Sequence, residues 1–77
     1  MLDYKKIGKR VKESRRLKNM TQAKLAELAD MADTSISRIE TGAKKVSLES
    51  LAKISLALSA SLDFLAFGTD PNITQDK

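Results

Sequence analysis

Residues 21–42 read TQAKLAELADMADTSISRIETG, and their apolar spacing decides the fold. Leu25, Leu28 and Ala29 recur at three- and four-residue intervals, which predicts one face of a helix beginning at Thr21. The Thr21 hydroxyl suits the N-cap of that helix, where it can accept a bond from an unpaired first-turn amide. A second run sets Ser35, Ile36 and Ile39 on one side and Asp33, Thr34, Ser37 and Arg38 on the other. The inner side is apolar and the outer side is hydrogen-bonding. The break between the runs is so short that two helices have to cross at a steep angle.

In most helices a polar outer face is simply a solvated one. Here the outer residues are short hydroxyls and one arginine, where an ordinary surface helix carries Glu and Lys, so this face can approach another surface closely. Another helix lies almost immediately upstream, which makes the pair a helix-turn-helix arrangement. In the DNA-binding version of this motif the second helix enters the major groove and the first crosses the backbone.

Further matches stand in register with this pair: Ile7-Gly8-Lys9-Arg10-Val11, then Arg15, Thr21-Gln22 followed by Leu25-Ala26, Ile36-Ser37-Arg38-Ile39-Glu40 with Gly42, and Ser47-Leu48-Glu49-Ser50-Leu51. Over 7–65 the chain resembles the lambda-repressor/Cro-like family of bacterial and phage helix-turn-helix regulators, also called the xenobiotic-response-element family. The resemblance implies an all-α, five-helix lambda-repressor-like domain whose helix-turn-helix is formed by the second and third helices. It also implies that Gln22 sits at a helix N-terminus against a DNA phosphate, where amides point outward and the helix dipole favours negative charge. Arg15 and Glu40 match the family's buried ion pair, which ties the first helix to the end of the third. The plain alternatives are an exposed helix-start glutamine and two unrelated surface charges.

The chain departs from the family pattern at four positions. Ser14 stands where an apolar residue is usual, so packing there is expected to be loose. Asp30 replaces the Gly of the inter-helix turn, a position that needs a positive φ. Ala32 replaces the Ser or Thr that caps the third helix, and Asp33 is expected to take over, either as a cap one residue late or as a negative charge at the positive helix end. Val46 stands where relatives commonly have Pro.

With 77 residues the chain is one small domain, near the lower limit for a core without staples. There is no cysteine and no histidine, so neither a disulfide framework nor a zinc site is expected. Three aromatics among abundant Ala, Leu, Ser and Lys suit helices better than a sheet. The net charge of +4 is unevenly spread: the first 20 residues hold eight basic and two acidic side chains, so positive charge concentrates in the first helix and its exit. Such a block is often only a solvated face. The charged N-terminus argues against a signal peptide, and no apolar run is long enough to cross a bilayer, so a cytoplasmic protein with no membrane partner is expected.

The first helix is expected over 4–18, with Asp3 as its cap, Ile7 and Val11 inward, and Leu17 near its end. Asn19 fits the helix exit and Met20 anchors the following turn. Gly42 is the left-handed terminator of the recognition helix, expected over about 32–40. The fourth helix starts at an imperfect capping box, Ser47 with Ser50, and runs to about residue 59, burying Leu48, Leu51, Ile54 and Leu58. Ser61 caps a short fifth helix that Gly68 ends. Residues 1–68 thus form the DNA-binding domain, and 69–77, with Pro71 and little apolar material, a flexible tail.

Nothing pairs a nucleophile with a base, so an enzyme is not expected, and neither a cofactor nor a small-molecule effector is evident. Phosphate contacts fall to Gln22, Thr41, Lys44 and Lys45. Sequence readout falls to Asp33, Thr34, Ser37 and Arg38, of which Arg38 can bond guanine O6 and N7 with about 1–3 kcal/mol of discrimination. Asp33 can accept from cytosine N4 or serve only the helix end. Leu56, Phe64 and Phe67 stand where relatives are often polar or variable, and are expected to form a homodimer surface rather than complete the core. The function expected is a sequence-specific transcriptional regulator of phage-repressor, restriction-modification controller or antitoxin type. The competing expectation is a helical protein-binding module.

Overall fold

The capping residues picked out in the sequence set the helix starts. The computed structural model describes residues 2–69. In it α1 (Tyr4–Leu17) begins at Asp3, whose carboxylate accepts from the Lys5 and Lys6 amides at 3.1 and 3.2 Å. α2 (Gln22–Ala29) begins at Thr21, whose hydroxyl accepts from the Lys24 amide at 3.0 Å. α4 (Leu48–Leu58) begins at Ser47, which accepts from the Ser50 amide at 3.1 Å and donates to the Ser50 hydroxyl at 3.0 Å, where a Glu or Gln would have bonded back to the cap amide. α5 (Leu62–Phe67) begins at Ser61, which accepts from the Phe64 amide at 3.0 Å.

α3 (Asp33–Thr41) is the exception. Its N-cap is Ala32 and no side chain caps it. The expectation that Asp33 caps one residue late is therefore corrected: Asp33 already lies inside the first turn, so only its charge serves the helix end.

Four helices end in one way. After α1, α2, α3 and α4 the residues Asn19, Asp30, Gly42 and Ser59 take left-handed conformations, with φ of 54, 56, 78 and 53°. Each donates its amide three residues back, and the next residue donates five residues back, as in Met31 to Ala26 at 2.8 Å and Ala43 to Arg38 at 3.0 Å. Asn19, Asp30 and Gly42 were legible as such exits. Ser59, expected as the last helical residue, is instead the terminator. Only one of the four is glycine, so the other three hold their bend against the side-chain clash that disfavours it.

α1 packs on α3 and α5, α2 on α3 and α4, and α4 on α5. The core so enclosed comprises Ile7 and Val11 of α1, Leu25, Ala26 and Ala29 of α2, Ile36 and Ile39 of α3, Leu51, Ile54 and Leu58 of α4, and Leu65 of α5. Three expected core residues are exposed: Leu17, Leu28 and Leu48. Each lies roughly 100° around its helix from the buried stripe, and in α2 the small Ala26 takes the place assigned to Leu28. Ser14, at the position expected to pack loosely, is half-buried.

Gly8 explains how closely α1 meets α3. A Cβ at this position would stand 2.7 Å from the Glu40 carbonyl oxygen and closer still to that of Ile39, so the two helices touch backbone to backbone. On the other flank of α1, Arg10 donates to the Leu65 carbonyl at 3.1 Å and ties down the end of α5. The tail expected over 69–77 lies, apart from Thr69, outside the described residues.

Candidate nucleic-acid interface

α3 is nine residues long, and an α-helix, about 10–12 Å across with its side chains, is of a thickness that a major groove about 12 Å wide admits. Thr34, Ser37, Arg38 and Thr41 follow at intervals of three, one and three residues and form one outward stripe. Thr34, Arg38 and Thr41 are exposed and Ser37 half-buried, while Ile36, Ile39 and Glu40 on the opposite side are buried. Asp33 is also exposed, at the N-terminal end of the stripe. The four residues expected to read sequence thus share one surface. Among the described residues the Arg38 guanidinium has no protein partner.

A buried ionic network fixes where that stripe points. Arg15 and Glu40 are 8% and 6% exposed, and the guanidinium grips the carboxylate twice, Nε to Oε2 at 2.7 Å and Nη2 to Oε1 at 3.1 Å. The expected pair is therefore present. Arg15 Nη1 also donates to the Met20 carbonyl at 2.7 Å, which fastens the turn into α2. The hydrogen bond to Glu40 holds the Arg15 pKa above its ordinary value, and burial only partly opposes this.

A third member of the network was not foreseen. Gln22 donates from Nε2 to Glu40 Oε1 at 2.9 Å, so the side chain assigned to a phosphate is held by the recognition helix itself. The amide has a second hydrogen left to donate. The pairing joins residues 18 apart in the chain, and no local pattern announces it.

Lys44 and Lys45 are exposed in the loop after α3. Thr41 differs from expectation in one respect: its hydroxyl donates to the Arg38 carbonyl at 3.1 Å, and it has to turn away from the helix before it can donate to a phosphate. Of the three residues assigned to a dimer surface, Leu56 and Phe67 are 82% and 61% exposed, whereas Phe64 is half-buried and packs partly on the core. Phe67 borders an apolar cleft of about 370 Å³ at the junction of α1, α4 and α5, with Leu2, Tyr4, Val46 and Leu48 also on its walls. Leu48 has its role there rather than in the core.

Among the described residues no cluster of His, Cys, Asp or Glu could hold a metal ion, and no helix is long and apolar enough to cross a membrane.

Comparison with known proteins agrees with this geometry. A helix-turn-helix family model matches residues 11–65. Control protein C.BamHI of Bacillus amyloliquefaciens is 44% identical over 73 residues, which cover 92% of this chain and 90% of that protein. The restriction-modification controller C.AhdI of Aeromonas hydrophila superimposes with a TM-score of 0.79 at 32% identity, over 82% of this chain and 96% of that one. The P22 c2 repressor, solved in complex with a synthetic operator, gives 0.77 at 28% identity over the same shares. The buried Arg15–Glu40 pair, the left-handed turns at Asp30 and Gly42 and these matches together make the chain a member of the lambda-repressor/Cro-like helix-turn-helix family.

Proposed function

We propose that this chain is a transcriptional regulator that binds double-stranded DNA sequence-specifically as a homodimer, with α3 in the major groove. One observation carries this: the Thr34, Ser37, Arg38 stripe faces outward while the opposite edge of the same helix is locked to α1 and α2 through Glu40. A merely solvated helix has no use for such orientation. Arg38 reads guanine, Thr34 and Ser37 take hydrogen-bonding edges or a thymine methyl, and Asp33 accepts from cytosine N4, the base group a carboxylate suits. Gln22, Thr41, Lys44 and Lys45 hold phosphates and set the register without reading sequence.

Leu56 and Phe67 pair the two copies, which places two recognition helices over half-sites one helical turn apart. The relatives C.BamHI and C.AhdI, named a control protein and a restriction-modification controller, support a control protein of that kind among the three types expected. Selection from random duplexes tests the whole reading. A two-fold symmetric site with about 10 base pairs between half-site centres is the expected product. Absence of any enriched sequence, with binding insensitive to salt, would favour the protein-binding alternative.

A further inference from the structure

The positive charge concentrated in the first 20 residues has so far found no role, since the phosphate contacts named above come from α2, α3 and the loop after α3. On α1 that charge is ordered. Lys5, Lys9, Lys12 and Arg16 follow at intervals of four, three and four residues and so form one ridge, covering about 60° of the helix. The ridge borders the stripe of α1 that meets α3, where Gly8 touches the Ile39 and Glu40 carbonyls and Arg15 holds the Glu40 side chain.

At its N-terminal end the ridge reaches the loop that carries Lys44 and Lys45. The stem of Lys5 lies across Gly42: a Cβ on Gly42 would stand 2.7 Å from Lys5 Cγ and 2.8 Å from its Cα. The missing side chain at Gly42 is what admits Lys5 to this place. Lys5 and Lys9 are exposed, and among the described residues neither forms an ion pair. Three ammonium groups, from Lys5, Lys44 and Lys45, therefore issue from one corner of the molecule, beside the C-terminal end of the recognition helix.

Building on the DNA-binding reading of α3, we infer that α1 supplies a phosphate contact of its own: Lys5, supported by Lys9, continues the grip of Lys44 and Lys45 along the DNA backbone. A lysine ammonium is a point charge on a flexible stem, which suits a phosphate better than a base edge. The contact adds affinity and salt dependence without adding sequence preference.

The test is the binding of the full chain to its selected duplex and to a scrambled one, titrated across a range of salt concentrations. Lys5→Met keeps the stem on Gly42 and removes only the charge. It is expected to reduce the slope of log K against log salt by about 0.9 and to weaken binding about fivefold at physiological salt, equally on both duplexes. Lys5→Arg restores both, and Lys9→Met, at a site clear of Gly42, moves them the same way by less. Lys53→Met on α4 removes the same charge elsewhere and serves as the reference. If Lys5→Met and Lys9→Met match Lys53→Met while Lys45→Ala still lowers the slope, the ridge is a solvated face and this inference alone is overturned. If the unaltered chain binds no duplex in a salt-dependent way, the DNA-binding reading falls as well.

Discussion

Replacing Arg15 by Met isolates what the buried network contributes. The substitution removes both bonds to Glu40, at 2.7 and 3.1 Å, and the 2.7 Å bond to the Met20 carbonyl. It leaves a carboxylate whose side chain is 1% exposed with Gln22 as its one remaining partner among the described residues. Breaking a buried pair from one side costs about 3–5 kcal/mol, because the other charge stays in a medium that solvates it poorly. A domain of this size loses about 4–8 °C of Tm per kcal/mol, so a fall on the order of 20–30 °C is expected by circular dichroism melting. The double variant Arg15→Met with Glu40→Leu carries no buried charge and should recover to within about 1–2 kcal/mol of the unaltered chain. It should nonetheless bind DNA more weakly on every sequence, since Gln22 has lost the acceptor that aims it. Two results would refute this account: Arg15→Met melting within a few degrees of the unaltered chain, or the double variant melting no higher than the single one.

Other expectations are simpler. Ser59→Gly removes the steric cost of a left-handed serine, about 1–2 kcal/mol, against the larger chain entropy of glycine, so stability in urea should rise by about 0.5–1 kcal/mol; a loss would mean Ser59 has a partner that compensates its strain. Arg38→Ala should relax preference at one base position in a repeated selection, whereas Lys45→Ala should weaken all sequences alike; uniform loss in both would remove Arg38 from base readout. Leu56→Glu combined with Phe67→Glu should leave the melting curve nearly unchanged, both side chains being mostly exposed, while shifting sedimentation at tens of micromolar from dimer to monomer. Dimers persisting in that variant would place the interface elsewhere.

The helix-turn-helix was legible because its signals are local. Thr21, Ser47 and Ser61 cap the helices they were expected to cap, and Asn19, Asp30 and Gly42 turn left-handed where the periodic runs stop. Ile36 and Ile39 sit three apart on a short helix with no competing apolar residue, so their burial was unambiguous. Where two apolar candidates competed, size misled. Leu28 looked a better core residue than Ala26, yet Ala26 falls beside Leu25 and Ala29 around α2 and is buried, while Leu28 lies off that stripe and is half exposed. Leu17 and Leu48 likewise sit near helix ends, where the phase of a short run is poorly defined. The stripe Thr34, Ser37 and Arg38 could be seen in advance. The hold of Glu40 on Gln22 could not, because it depends on how α2 and α3 cross.

The bare contact at Gly8 has a consequence for how finely the molecule is gauged. Since nothing thicker than a hydrogen separates α1 from the last turn of α3, even one extra methyl there would act as a wedge under one end of the reading helix. In the proposed complex the grips on either side, Gln22 at one margin and the lysine-bearing loop at the other, would have to straddle rails whose spacing the nucleic acid dictates. A lever tipped at its root misses both rails at once, so the smallest residue in the chain sets the calibre of the whole instrument.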